Sequence, residues 1–173
     1  LWASISLSVI SLSDLSALAS AVGVSFINFY INILGYLQDM VQSLEYITKI
    51  SHKHVSNNHR KLKYNQIKEL KEIDIELQKL LTDTQLVFDN RSFEEIESIV
   101  EHKNNLFILV SDKIEKQVAR TRTEESSPKN TTLYFTLLLE TKDLITATMN
   151  LLESYYKEHD SSVKPATIDN KDS

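Results

Sequence analysis

FINFYINILGYLQDMVQSLEYI, Phe26 to Ile47, is the stretch on which the fold turns. Phe26, Tyr30, Ile33/Leu34, Leu37, Met40/Val41, Leu44 and Ile47 recur at steps of three and four. That spacing winds one apolar stripe along a helix and leaves the opposite side polar. The same periodicity returns three times. It runs through Ile67, Leu70, Ile73/Asp74, Leu77, Leu80/Leu81, Thr84 and Val87/Phe88, then through Ile96, Ile99/Val100, Lys103, Leu106/Phe107, Val110, Ile114 and Val118. The last run is Tyr134, Leu137/Leu138, Thr141, Leu144/Ile145, Thr148, Leu151/Leu152 and Tyr155.

Composition agrees with long helices. Only two Gly and two Pro occur in 173 residues, whereas a sandwich or barrel needs turn residues at about every 8–12 positions. Ser92-Phe93-Glu94-Glu95 reads as a capping box before the third helix. Asn65 reads as the cap of the second helix, and Ser127-Pro128 as an N-cap followed by a first-turn proline. Helices of roughly 23 to 32 residues would run about 35–48 Å each. Short connections then make neighbours antiparallel, so the expected fold class is all-α, an antiparallel up-down-up-down four-helix bundle.

The chain divides into three parts. Residues 1–25 are apolar and serine-rich, and read either as a linking helix or as the end of a membrane segment, for which about 20 apolar residues suffice. Residues 26–159 form the bundle, and the polar, aperiodic 160–173 read as a disordered tail. The chain opens LWAS rather than with Met, so the sequence is expected to be a piece of something longer. No cysteine is present, which excludes disulfides and thiolate metal sites. A pI near 5.5 argues against nucleic acid as partner.

Against a net charge of -5, KISHKHVSNNHRKLK (Lys49–Lys63) holds five Lys/Arg and no carboxylate. Antiparallel order would bring this first connection to the same end as the third, where Arg120 and Arg122 close one helix and Lys129 opens the next. The candidate anion- or partner-binding residues are therefore Lys49, Lys53, His54, Asn58, His59, Arg60, Lys61, Arg120, Arg122 and Lys129. Helix N-termini there would add partial positive charge. Expected partners are inorganic phosphate, anionic lipid head groups or an acidic protein surface. His52, His54 and His59 are better read as capping or anion contacts than as metal ligands, because the surrounding lysines repel a cation.

Glu140 and Asp143 share a helix face, and Asp39 on the first helix can join them. These three are the candidate ligands of a divalent metal, the one cofactor the residues suggest. There is no Gly-rich phosphate loop and no nucleophile–base arrangement, so the expectation is a protein that is not an enzyme.

The segments INFYINILGYLQDMVQSLEYI, HVSNNHRKLKYNQIKELKEI and QVARTRTEESSPKNTTLYFTLLLETKDLI together resemble the PhoU-like helical domain attached to inorganic phosphate transporters of Bacteroidetes-type bacteria. The similar domain of sodium/phosphate cotransporters is a near alternative. The likeness spans Phe26 to Lys157. It implies a PhoU-like, membrane-associated bundle on the cytoplasmic side of the bacterial inner membrane, regulating or assisting phosphate transport beside the transporter's membrane domain. The family's metal-binding acidic motif finds its nearest counterpart here in Glu140-Thr141-Lys142-Asp143. The competing expectation is a helical protein-interaction module, such as a homodimer, unrelated to phosphate.

Overall fold

The computed structural model describes residues 24–90, 93–123 and 127–159. The readings made for the N-terminal segment as far as Gly23, for Ser92 as a cap and for the tail lie outside them. Four helices make up the fold: α1 Val24–Ser56, α2 Tyr64–Asn90, α3 Ile96–Thr123 and α4 Pro128–His159. No strand occurs among the described residues, and the expected four-helix bundle is what forms.

Side-chain pairs fix the directions. Between α2 and α3, Gln66 meets Gln117, Glu69 meets Arg120 and Glu76 meets His102, so these helices are antiparallel. Between α2 and α4, Glu69 meets Tyr134 and Phe88 meets Tyr155, so these two run the same way.

The core is built by α2, α3 and α4. Ile73, Leu77, Leu80 and Val87 interlock with Ile99, Leu106 and Val110, and with Tyr134, Leu138, Leu144, Ile145, Met149 and Leu152. Fully burying each Leu or Ile contributes about 1.5–3 kcal/mol, which is why the three-and-four spacing holds through all three helices. At one end the core closes with aromatic rings. Tyr155 lies 4.9 Å from Phe88 and 6.0 Å from Phe93, and Tyr156 lies 5.3 Å from Phe93.

Helix α1 sits differently. Its backbone comes close to α4 alone among the described elements. Ser43 and Ala147 are both buried, and their small size lets the two helices approach. Met40 and Leu44 reach the edge of the core. Between α1 and α2 an apolar groove of about 360 Å³ remains open, with Leu44 and Ile47 on one wall, Leu70 and Leu77 on the other and Leu137 and Leu144 along α4.

The helix ends depart from the sequence reading in two places. α1 continues to Ser56, so His52, Lys53 and His54 are helical rather than part of a loop. Lys53 and His54 occupy its last turn, where positive charge complements the helix dipole. Asn65 does not cap α2, because the helix has already begun at Tyr64. Gln66 does that work: its Oε1 accepts the backbone N–H of Lys63 at 3.0 Å, three residues back. The reading of Pro128 as a first helical residue agrees with the start of α4.

Candidate functional site

The corner after α1 is a helix stop built from polar residues. The N–H of His59 bonds the carbonyl of His54 at 3.2 Å, and the N–H of Asn58 bonds that of Val55 at 3.0 Å. Asn58 itself sits at a φ of 50°, the left-handed conformation that asparagine tolerates better than most residues. These bonds satisfy carbonyls that the helix end would otherwise leave free. His54 then donates from Nε2 to the carbonyl of Arg60 at 3.0 Å, with its ring edge-on to His59 at 5.2 Å.

The corner is tied to the opposite hairpin. Asn130, buried at the start of α4, donates from Nδ2 to the carbonyl of Lys61 at 2.8 Å. Its Oδ1 is buried without a hydrogen-bond partner among the described residues, so that single bond holds the amide in place. The tie puts Arg60 and Lys61 beside the start of α4. The Gln66–Gln117 and Glu69–Arg120 pairs put the end of α3, with Arg122 in its last turn, at the same end. The two hairpins therefore do converge.

The ten residues expected to bind an anion fall into four groups. Lys53, Arg60, Lys61, Arg122 and Lys129 are exposed at this end and make no ion pair with any described residue. His54, Asn58 and His59 shape the corner. Lys49 lines a groove between α1 and α4 instead, among Asp39, Glu45, Glu140 and Asp143. Arg120 is engaged internally: its guanidinium grips both carboxylate oxygens of Glu69, with Nη1 to Oε2 at 2.9 Å, and Tyr134 donates to Oε2 at 2.5 Å.

That internal pairing belongs to a longer series. Lys113 contacts Glu72 at 3.1 Å, and His102 contacts Glu76 at 3.0 Å and Asp83 at 3.7 Å. Burial acts to raise the Glu69 carboxyl, but hydrogen bonds from Arg120 and Tyr134 outweigh it and hold the group below its ordinary 4.5. Burial also pushes the Tyr134 hydroxyl well above its usual range, and the neighbouring Glu69 charge adds to the effect. Sequence reasoning missed this seam. Its signal was present in Glu69, Glu76 and Asp83, which repeat at seven residues along one face of α2.

Asp39, Glu140 and Asp143 line one groove of about 600 Å³ between α1 and α4. Burial and the neighbouring Asp143 charge raise the Glu140 carboxyl, while a hydrogen bond from Ser43 acts the other way. No group of three or more metal-ligating side chains converges among the described residues, so the three carboxylates share a groove without forming a cage. Nor is any helix among the described residues long and apolar enough to cross a membrane.

No family model matches the chain, and no curated protein or solved structure is significantly similar to it.

Proposed function

We propose that this chain is a non-enzymatic helical accessory domain that meets an anionic partner through its basic end. Convergence of two hairpins, which brings Lys53, Arg60, Lys61, Arg122 and Lys129 to one end with no ion pair among the described residues, carries this reading. Cations held on a fixed corner lose little freedom when an anion arrives, and the start of α4 adds the partial positive charge of a helix N-terminus. The likeness to PhoU-like domains supplies the setting. The domain serves inorganic phosphate transport at the cytoplasmic face of a bacterial inner membrane, and the anion is phosphate or the phosphate-bearing surface of the membrane.

Thermal unfolding in phosphate and in chloride of equal ionic strength tests the proposal. Phosphate at about tenfold above its Kd stabilises a binding protein by about 1.4 kcal/mol, a rise of about 3–5 °C for a chain of this size. Replacing Lys53, Arg60, Lys61 and Arg122 together by Gln should abolish that rise. Sedimentation with vesicles containing anionic lipid separates the two sources of phosphate groups. A wild-type protein indifferent to phosphate and to such vesicles would refute the reading.

A further inference from the structure

Charge is unevenly distributed along this chain. From Tyr46 to Lys68 it carries six of its 19 Lys/Arg and none of its 24 Asp/Glu, although the whole has a net charge of -5. The same stretch holds Val55 and Tyr64. At 74% and 79% exposure they are the most exposed large apolar side chains among the described residues. They flank the strap 57–63: Val55 stands in the last turn of α1 with Lys53, and Tyr64 opens α2. Between them Leu62 packs against the core and holds the strap to the bundle, while Arg60 and Lys61 stay exposed.

This arrangement discriminates among anions. Lys53 is on α1, Arg60 and Lys61 are on the strap, Arg122 is on α3 and Lys129 is on α4. Packed helix axes stand about 8–10 Å apart, so one phosphate ion touches only a fraction of these cations, whereas a layer of head groups meets all of them. A free ion also gains nothing from Val55 and Tyr64. At a bilayer surface both have a place, because tyrosine favours the head-group level and binding grows with the apolar area buried as well as with charge. The carboxylates set the orientation. An anionic plane repels the net negative remainder of the chain, so the bundle meets it end-on. A finite acidic patch on a protein would not require carboxylates to be kept out of the whole stretch from Tyr46 to Lys68.

We infer that this end of the bundle seats on an anionic lipid bilayer, with Val55 and Tyr64 entering the head-group layer on either side of the Arg60–Lys61 strap. The inference rests on the basic end as an anion site and narrows it to one source of phosphate groups.

Co-sedimentation of the full chain with vesicles tests it, comparing phosphatidylcholine alone with equal parts of phosphatidylcholine and phosphatidylglycerol. The protein should bind the mixed vesicles and not the neutral ones. Each Lys or Arg near an anionic surface contributes about fivefold, so Arg60→Gln with Lys61→Gln should weaken binding about 25-fold with unchanged helical circular dichroism. Val55→Ser with Tyr64→Ser keeps the charge and should weaken it about tenfold. The chain has no cysteine, so a single introduced thiol can carry an environment-sensitive dye. A dye at Val55→Cys should shift to the blue on mixed vesicles, and one at Ile108→Cys, exposed on α3, should not. A chain that ignores the mixed vesicles overturns the inference; if inorganic phosphate still stabilises it, the anion site stands and only the membrane is lost. Binding to polyglutamate without binding to vesicles would give this end to an acidic protein and overturn it too. So would vesicle binding that survives the loss of Arg60 and Lys61, or a dye at Val55→Cys that stays in water.

Discussion

Helix α2 meets α3 through an apolar core flanked by pairs of opposite charge, whereas α1 meets α4 across small residues beside a groove lined mainly by carboxylates. Along the first seam Glu69–Arg120, Glu72–Lys113 and Glu76–His102 follow one another up the bundle. Sliding one helix by a turn would break all three, so the seam fixes register as well as contact. Along the second, Ser43 and Ala147 set the spacing, and the outer side of α1 keeps Ile31 and Leu34 in solvent. The difference separates a three-helix body, whose alignment is specified by charge, from a first helix held mainly by shape.

The largest test of this division compares two leucines. Leu138→Ala, at a fully buried position of α4, should cost about 2–5 kcal/mol in urea unfolding. Leu34→Ala, on exposed α1, should stay within about 0.5 kcal/mol. Similar losses at both sites would erase the distinction.

Next comes the charged seam. Glu69→Gln leaves the Arg120 guanidinium without its carboxylate and should cost about 1–3 kcal/mol. The pH dependence sharpens this. Because the folded Glu69 carboxyl lies below 4.5, its contribution is complete above that value and disappears as pH falls beneath it. The wild type should therefore lose stability toward acid more steeply than Glu69→Gln. Tyr134 behaves oppositely at the other limit: its raised hydroxyl makes stability fall as pH climbs past 10. Parallel acid limbs for wild type and variant would mean that Glu69 and Arg120 are not coupled.

The smallest expected effect lies in the α1–α4 groove. Glu140 and Asp143 are like charges three residues apart, and Glu140→Gln should stabilise by about 0.2–0.5 kcal/mol at pH 7. A raised carboxyl penalises the fold above its ordinary value, so the gain should vanish as pH drops and the wild-type group takes up its proton. A loss on Glu140→Gln would instead show that this carboxylate strengthens the seam.

Much of this architecture was readable before any coordinates. Apolar steps at Ile73, Leu77 and Leu80, or at Leu138 and Ile145, depend only on which side of a helix faces inward, and they placed the core. Pro128 announced the start of α4 through its fixed backbone angle. The final turns of α1 were hidden because Lys49, Ser51, His52 and Lys53 carry no apolar signal, and the stop depends on one left-handed asparagine. Within the candidate site, the shared end of Lys53, Arg60 and Arg122 was legible because it follows from antiparallel order alone. The pairing of Arg120 was not, since a base near a helix end reads alike whether it faces water or Glu69 across the interior. Pairing is a relation between two helices, and periodicity along one of them does not contain it.

The hydrogen bond from Asn130 to the carbonyl of Lys61 has a mechanical consequence. Among the described residues, helix α1 joins the body of the molecule through its flank, which lies against α4 and the edge of the core, and through the short strap of residues 57–63. Arg60 and Lys61 are on that strap. Leu62 on the same strap packs against the core, so a displacement of Arg60 or Lys61 would be felt by α1 and by the interior of the other three helices alike.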